Sequence, residues 1–486
     1  MNLKLYAPRI HLLAFHLFKT PDVGKQGAVE NPDLLWQRCA EIFAKFYIKQ
    51  QLPLKSERPH NQRFELLAGN EPREIVLEIQ TAIYYQDEKL PLDGFAYPLQ
   101  LYDSYGLGFT IGFPEPELNN GKQIQSVDIS VLKKLNPDYC FLPEKINSNW
   151  GQTIIITSWL VEDKRDDKSL KKLADECIET FVIEPSKVPS FHRQGKLFGS
   201  PIFEYGLIND QGRYRHILVW LFSKSITDKN LQKSYTRILD LFYYRNKIIT
   251  EFQNSRSTYL QLYQKYEETE KFIQELFLEL SSENTLSQKE LNYLKNKLKE
   301  LVKENVSYSS LLRDLEFSRN SIIIHTDNYN SKLNFISNHL ESESDLSFLE
   351  AFSQENCRTY QEQIQGDLGY FVQGSSLLEK AINSIRGIVA IDQAERDRKR
   401  EDREKESDRQ LQLTIFAASA GVTVGGIVAS SSGQITEQNP IKWNVIKFHD
   451  HPIHPFTVLV FFSIVAGLVA GGIAWWLTKQ WHKCRH

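Results

Sequence analysis

The sequence predicts an α+β N-terminal domain that faces the cytoplasm, a long helical or coiled-coil stalk, and a C-terminal two-helix transmembrane hairpin. Three observations predict this order. Strand-like and helical patterns alternate over residues 1–225, apolar residues recur at heptad spacing over much of 226–410, and two long uncharged apolar runs follow. A chain of 486 residues exceeds what one hydrophobic core usually serves, so several structural units are expected.

The first 225 residues mix the two hydrophobic periods that distinguish strands from helices. Strands are predicted at 4–18, 74–79, 97–102, 106–113, 153–160 and 216–222, and helices at 33–49, 127–135 and 169–181. The run Tyr105-Gly106-Leu107-Gly108-Phe109 lacks the third glycine of a dinucleotide-binding loop, so we interpret it as a strand or hairpin. A mixed α+β domain fits this pattern best.

Residues 226–355 form a predicted helical region with a heptad seam. The seam consists of Leu291, Leu294, Leu298, Leu301, Asn305, Tyr308, Leu312 and Leu315. Ser287 and Glu290 have capping-box spacing and predict the start of the helix, whose end is expected by 327–331. Asn305 at an inner position is suited to fix register or oligomer state. Packing within one chain and association between subunits both fit the seam.

A second seam predicts the stalk helix over residues 356–410. It consists of Ile364, Leu368, Phe371, Ser375, Leu378, Ile382, Ile385 and Val389. Residues 395–409 are charged at every position except Ser407, and opposite charges stand one helical turn apart, which favours a solvated helix over a disordered tail. The two seams are expected to pack as an antiparallel hairpin.

The two uncharged apolar segments predict membrane helices at 411–429 and 456–477, joined by an external loop over 430–455 and followed by a basic tail over 478–486. Lys and Arg residues are concentrated before the first segment and after the second, which predicts that both termini are cytoplasmic. The expected location is therefore a multi-pass position, by default in a plasma membrane.

Two sets of residues are candidate sites in this C-terminal part. The G-x-x-x-G pairs Gly421 with Gly425 and Gly467 with Gly471 predict close helix packing. The loop cluster of His449, Asp450, His451 and His454 could ligate a divalent metal, and polar loop surface is the alternative.

Composition and motifs exclude several function classes. A net charge of −3 gives no whole-chain argument for a nucleic-acid partner, and the five widely spaced cysteines show no disulfide-like spacing. The chain contains no phosphate-binding loop, zinc-protease pair or nucleophile elbow, so we predict that it is not an enzyme and has no cofactor beyond a possible divalent cation.

The order of a mixed N-terminal domain, a long helix and two C-terminal membrane helices resembles the CorA-like magnesium transport proteins. The resemblance concerns residues 260–486 and implies an oligomeric divalent-cation channel. The family's Gly-Met-Asn motif is absent, because Met1 is the only methionine and the corresponding residues 429–433 read Ala-Ser-Ser-Ser-Gly.

Two functions are therefore expected. The first is a membrane-anchored oligomeric protein whose large cytoplasmic sensor, effector or scaffold domain is coupled by the helical stalk to the membrane hairpin. The alternative is a CorA-like divalent-cation transporter or channel without the Gly-Met-Asn motif. The expected partners are the lipid bilayer, further copies of the chain, and a cytoplasmic protein or small ligand.

Overall fold

The computed structural model describes residues 4–401 apart from 20–28, 56–61, 69–72, 115–125, 161–165, 183, 208–214, 280–286 and 340–344, together with the single positions 465, 469, 473 and 476. The strands are β1 (Lys4–Leu17), β2 (Arg63–Glu65), β3 (Ile75–Val76), β4 (Ala82–Tyr85), β5 (Glu88–Pro91), β6 (Asp93–Leu101), β7 (Ser104–Gly112), β8 (Val127–Asp128), β9 (Gln152–Trp159), β10 (Phe191–Leu197), β11 (Ser200–Tyr205) and β12 (His216–Phe222). The helices are α1 (Leu34–Lys45), α2 (Val131–Lys134), α3 (Pro143–Ile146), α4 (Asp167–Val182), α5 (Ser225–Glu279), α6 (Gln288–His339), α7 (Ser347–Ala351) and α8 (Cys357–Glu401), and a π-helical turn, Phe352–Asn356, joins α7 to α8.

Ten of these strands form one sheet with the order β10-β11-β12-β9-β1-β7-β6-β2, in which β3 pairs with β6 and β8 pairs with β1. Neighbours along this order are antiparallel except β9 and β12, which are parallel. Strands β4 and β5 form a separate two-stranded sheet. The α+β class predicted for this region is confirmed.

Both faces of the large sheet are covered, so its central strands are apolar almost throughout. On β1, Ile10 and Leu12 point into a core that also contains apolar residues of α1 and α4. The alternate residue Phe15 contacts Tyr243 of α5 on the opposite face, with ring centroids 5.4 Å apart. Helix α5 is accordingly buried on nearly all sides between residues 238 and 249.

Gly108 on β7 allows α5 to approach the sheet closely. A Cβ atom at this position would lie 2.8 Å from the Tyr235 hydroxyl oxygen and 3.2 Å from a Leu239 methyl carbon. The two-glycine run is thus a strand of a hairpin, as the sequence predicted, and Gly108 provides room for helix packing rather than for a phosphate group.

The described chain divides into two compact units that do not follow sequence order. Among the described residues, the sheet unit comprises those within 1–254 and 318–363, and the helical unit comprises those within 255–317 and 364–401. Helices α5, α6 and α8 each contribute residues to both units.

Each of these three helices carries a line of buried residues at intervals of seven, and every member is at most 5 % exposed. The lines are Leu241, Ile248, Ser255, Leu262, Thr269 and Leu276 on α5; Leu294, Leu301, Tyr308, Leu315, Ile322, Tyr329 and Ile336 on α6; and Cys357, Ile364, Phe371, Leu378 and Ile385 on α8. A period of 3.5 residues per turn is the coiled-coil repeat. In the helical unit the Tyr308 hydroxyl donates a hydrogen bond to the Phe371 carbonyl, so the seams of α6 and α8 pack together within one chain.

The start of α6 was predicted correctly and its end was not. The Glu290 amide donates to the Ser287 hydroxyl at 3.2 Å and the Ser287 amide donates to the Glu290 carboxylate at 2.6 Å, which is a complete capping box. The helix continues through 327–331 to His339. The buried heptad line continues through Ile322, Tyr329 and Ile336, and Asp327 and Asn328 lie outside that line.

The predicted α8 seam needs a small correction. Leu368 and Ser375 are half-buried, whereas Asp367 and Gly374 are buried in their place. Asp367 is tolerated there because Arg256 of α5 forms an ion pair with it. Asn305 on α6, expected at an inner position, is half-buried.

No helix in the described part of the chain is both long and apolar enough to cross a bilayer. The long helices have sufficient length, but charged residues recur along each of them. This finding contradicts the membrane portion of the predicted fold class and, with it, the multi-pass plasma-membrane location. The segments to which the hairpin was assigned, 411–429 and 456–477 with the loop 430–455, lie outside the described residues apart from the four single positions.

The predicted helix at 127–135 also needs correction. Val127 and Asp128 pair with β1 as strand β8, and only Val131–Lys134 are helical. Strands β10 and β11 were not predicted, because β10 reads Phe-His-Arg-Gln-Gly-Lys-Leu, which has no apolar alternation.

Candidate functional site

The chemically richest place in the described residues is a buried ionic cluster, the Glu204 cluster, formed by Glu204, His216, Arg245 and Arg193. It lies in the sheet unit, on the face of the sheet that α5 covers. Arg193 of β10 is the direct cross-strand partner of Glu204 on β11, and β12 follows β11 in the sheet and carries His216. Arg245 comes from α5.

The carboxylate of Glu204 is the centre of this cluster. An Arg245 Nη2 atom lies 2.6 Å from Glu204 Oε1, and His216 Nε2 lies 3.0 Å from the same oxygen. Arg193 Nε lies 3.5 Å from Glu204 Oε2. The side chains of Glu204, His216 and Arg245 are at most 1 % exposed, so this carboxylate is neutralised in a region without solvent.

A chain of hydrogen bonds fixes the His216 tautomer. The Asn246 side-chain amide donates to Thr153 Oγ1 at 3.0 Å, and Thr153 Oγ1 lies 2.9 Å from His216 Nδ1. With Nε2 donating to the Glu204 carboxylate, Nδ1 is the acceptor and the Thr153 hydroxyl donates to it. His216 is therefore a neutral ring that donates to an anion.

The pKa shifts agree with this assignment. Burial alone would raise the pKa of Glu204, but the Arg245 charge and the His216 hydrogen bond outweigh burial and lower it to about 2. Burial and the Arg245 charge lower the pKa of His216 to about 4. At neutral pH the cluster therefore contains an ionised carboxylate, a neutral imidazole and two guanidinium groups.

Arg193 connects the cluster to the residues that lead into α8. Its Nη1 atom donates to the Phe348 carbonyl at 3.1 Å, and its Nη2 atom donates to Asn356 Oδ1 at 2.7 Å. Close to it, the Lys196 amide donates to the Asp345 carbonyl at 3.3 Å. Strand β10 thus holds the segment from Asp345 to the π-helical turn.

Glycine is required where this segment meets β10. A Cβ atom at Gly195 would lie 2.3 Å from Phe348 Cδ1 and 3.0 Å from the Asp345 carbonyl oxygen. Phe352 in the π-helical turn also lies against Arg245, whose guanidinium carbon is 4.0 Å from the ring centroid. The turn therefore contacts both the edge of the sheet and α5.

Two further buried charged residues of α5, Lys247 and Asp240, form three ion pairs with other elements of the sheet unit. Lys247 Nζ lies 2.9 Å and 3.1 Å from the two Asp103 carboxylate oxygens and 4.8 Å from the Trp150 ring. Asp240 lies 3.4 Å from Arg63 Nε and 3.3 Å from Lys332 Nζ of α6. Charged residues of α5 that face the protein interior thus have partners on other elements.

A separate surface cavity of about 390 Å³ lies between α1 and the residues around α3. Four of its five charged lining residues form pairs, Lys45 with Asp138 at 2.6 Å and Arg38 with Glu41 at 2.8 Å, and the fifth is Lys145. Burial raises the pKa of the Cys140 thiol in this cavity to about 12, so the thiol stays protonated. The cavity has the volume of a small-ligand pocket but holds no activated nucleophile.

The candidate residues named from the sequence are not part of these clusters. Gly421, Gly425, Gly467 and Gly471, and the possible metal ligands His449, Asp450, His451 and His454, lie outside the described residues. Within the described ranges, the structure contains no group of three or more His, Cys, Asp or Glu residues placed to hold a metal ion.

The Glu204 cluster was not predicted, although the sequence contains a signal for it. Residues 238–249 read Ile-Leu-Asp-Leu-Phe-Tyr-Tyr-Arg-Asn-Lys-Ile-Ile, in which three charged residues interrupt an apolar helix. A helix buried on all sides cannot leave such charges unpaired. What the sequence cannot supply is the identity of the partners, because Glu204 lies 41 positions before Arg245.

No protein-family model and no curated protein matches this chain, so the resemblance to the CorA-like proteins stays a prediction.

Proposed function

We propose that this protein is an oligomeric sensor or scaffold in which the sheet unit detects a protein or small ligand and the long helices carry the response. The observation that supports this best is the Glu204 cluster. Its ionisable groups are used to attach α5 and the start of α8 to the sheet, and the carboxylate, imidazole and Arg245 guanidinium are closed to a substrate.

The path from sheet to helix is short. Arg193 contacts Glu204 on one side and Asn356 on the other, and Cys357, the first residue of α8, follows Asn356 directly. The π-helical turn Phe352–Asn356, which precedes Cys357, has one more residue per hydrogen-bonded turn than an α-helix. Such turns occur often at functional sites. A ligand that shifts β10 or β11 would change the Arg193 contacts and thereby the first turn of α8.

We expect that Arg193→Lys loosens the junction between the sheet and α8. Lysine keeps the charge but cannot reach Glu204, the Phe348 carbonyl and Asn356 together as the guanidinium does. Deuterium uptake by the amides of 345–362 should become about 10-fold faster in the full-length chain, measured by hydrogen exchange and mass spectrometry.

Arg38→Lys provides the matched control, because Arg38 of α1 pairs with the largely exposed Glu41 of the same helix. This variant should leave uptake by 345–362 unchanged. If Arg193→Lys changes uptake only in β10 and β11, the sheet is not coupled to α8 through this residue and the sensor proposal loses its support.

A further inference from the structure

The helical unit carries an outward-facing stripe that is basic and apolar. In the stretch 295–313 of α6, one face within about 100° of the helix circumference holds basic residues and valines, with Ser310 as the one other residue. We call it the basic stripe, and its members are Lys295, Lys299, Val302, Lys303, Val306 and Arg313. Val306 is 67 % exposed and Val302 is 38 % exposed, so two apolar side chains one helical turn apart face outward.

The acidic residues in this part of α6 do not share the stripe. Glu304 bonds Lys265 of α5 at 2.6 Å, and Glu300 bonds Lys297 at 2.9 Å. The positive charges of the stripe therefore face outward without a carboxylate among them.

A second surface of the same unit has the opposite character. We call it the tyrosine–glutamate patch; it lies on α5 and α8 and consists of Tyr259, Tyr263, Glu267, Glu270 and Tyr370. The Tyr263 side chain is 39 % exposed and that of Tyr370 is 42 % exposed. Leu260, on the same side of α5, is 60 % exposed.

The members of the patch are mutual neighbours. Tyr259 and Tyr263 stack with ring centroids 6.3 Å apart, and Tyr259 lies 5.3 Å from the Phe371 ring beside Tyr370. The Tyr266 hydroxyl donates to the Glu270 carboxylate at 2.8 Å, and the Tyr266 ring centroid lies 5.2 Å from that of Tyr370. Burial together with the charges of Glu270 and Glu267 raises the pKa of the Tyr370 phenol. Lys271 follows the patch on α5 and lies 3.8 Å from Glu275.

Space beside the patch is open on the α8 side. A Cβ atom at Gly366 or Gly369 would meet nothing within 4 Å. Tyrosine is enriched at protein interfaces because it combines apolar area with a hydrogen-bonding group, and the two carboxylates give the patch a negative charge. Its chemistry fits a helix that presents lysine and valine.

We propose that the basic stripe of one copy of this chain docks on the tyrosine–glutamate patch of a second copy. The proposal rests on the oligomeric nature of the proposed function and assigns the surfaces that make the contact. Since the two surfaces differ, the contact is heterologous and each chain offers one stripe and one patch, so assembly proceeds by repeating the same contact. Charge complementarity selects a second copy as the occupant.

Charge reversal tests this assignment in the full-length protein by sedimentation velocity. The stripe variant Lys299→Glu/Lys303→Glu and the patch variant Glu267→Lys/Glu270→Lys should each weaken self-association about 100-fold, because like charges then face each other. An equimolar mixture of the two variants should regain assembly, since each chain supplies the surface that the other has lost. The chain with all four reversals should also assemble.

Lys168→Glu/Lys172→Glu on the exposed side of α4, in the sheet unit, is the matched control and makes the same change in net charge as the stripe variant. It should assemble as the wild type does. The stripe substitutions replace exposed side chains, so the melting temperature of the stripe variant, followed by circular dichroism, should remain near that of the wild type. The patch variant should melt somewhat lower, because Glu270→Lys removes the hydrogen bond from Tyr266. The stripe variant therefore tests the contact without a change in stability.

The failures of the two proposals are distinguishable. A wild-type chain that remains monomeric overturns the oligomeric function itself. A wild-type oligomer that the stripe variant leaves intact, or one that the α4 control also dissociates, overturns the stripe and patch assignment and leaves the proposed function standing.

Discussion

Replacing Arg245 with methionine should lower the free energy of unfolding by about 3 to 5 kcal/mol, because it leaves the Glu204 carboxylate buried without its closest cation. Arg193 at 3.5 Å and a neutral imidazole cannot compensate fully. Chemical denaturation followed by circular dichroism measures the loss.

A double-mutant cycle separates the ion pair from packing. Glu204→Gln alone should also destabilise the protein, and the double variant Arg245→Met/Glu204→Gln should lose less than the sum of the two single variants. Arg38→Met on the surface of α1 is the control and should cost about 1 kcal/mol or less. A loss of that small size for Arg245→Met would mean that the Glu204 cluster does not hold α5 to the sheet.

The protein should become much less stable as the pH falls from 6.5 toward 4. Burial lowers the pKa of three histidines in the sheet unit, His216 to about 4 and His11 and His325 to about 3. These rings are neutral when folded, whereas in the unfolded chain they take up protons below pH 6.5. The free energy of unfolding therefore keeps its full value above pH 6.5 and decreases as the pH falls below it, because the unfolded chain binds more protons than the folded one.

The expected magnitude follows from linkage. Each such histidine contributes up to about 1.4 kcal/mol per pH unit below 6.5, so three rings together should lower the free energy of unfolding by several kcal/mol by pH 5.

A single substitution tests the origin of this slope. His325 stacks on Tyr244 with ring centroids 5.9 Å apart, so phenylalanine can occupy its place. Between pH 5 and 6.5, His325→Phe should reduce the slope of the free energy of unfolding against pH by about 1.4 kcal/mol per pH unit, which corresponds to one proton. An unchanged slope in this variant would show that His325 is not a neutral, buried ring in the folded protein.

The sequence was informative where local chemistry decides the structure. The capping box at Ser287 and Glu290 needs only four residues, and strand β12 needs only the apolar run His216–Phe222, so both were predicted with correct bounds. The heptad seam of α6 was found for the same reason, since its period is visible in one segment of the chain.

Features that depend on distant partners were not predictable in this way. Strand β10 is polar because Arg193 pairs with Glu204 across the sheet and Gly195 admits Phe348, and neither contact is visible in the local pattern. The end of α6 was placed too early because the polar residues 327–331 look like a helix stop, whereas Tyr329 lies in the buried line. The membrane hairpin was inferred from apolar runs alone, and the described helices do not include such a span.

The most direct test of the proposed oligomeric sensor or scaffold is the molar mass of the purified full-length chain in solution. Sedimentation velocity over a range of micromolar concentrations should show a species of at least twice the monomer mass, and its population should fall as salt is raised, because the stripe and the patch attract through exposed charges. A single monomeric species at every concentration and salt would contradict the account.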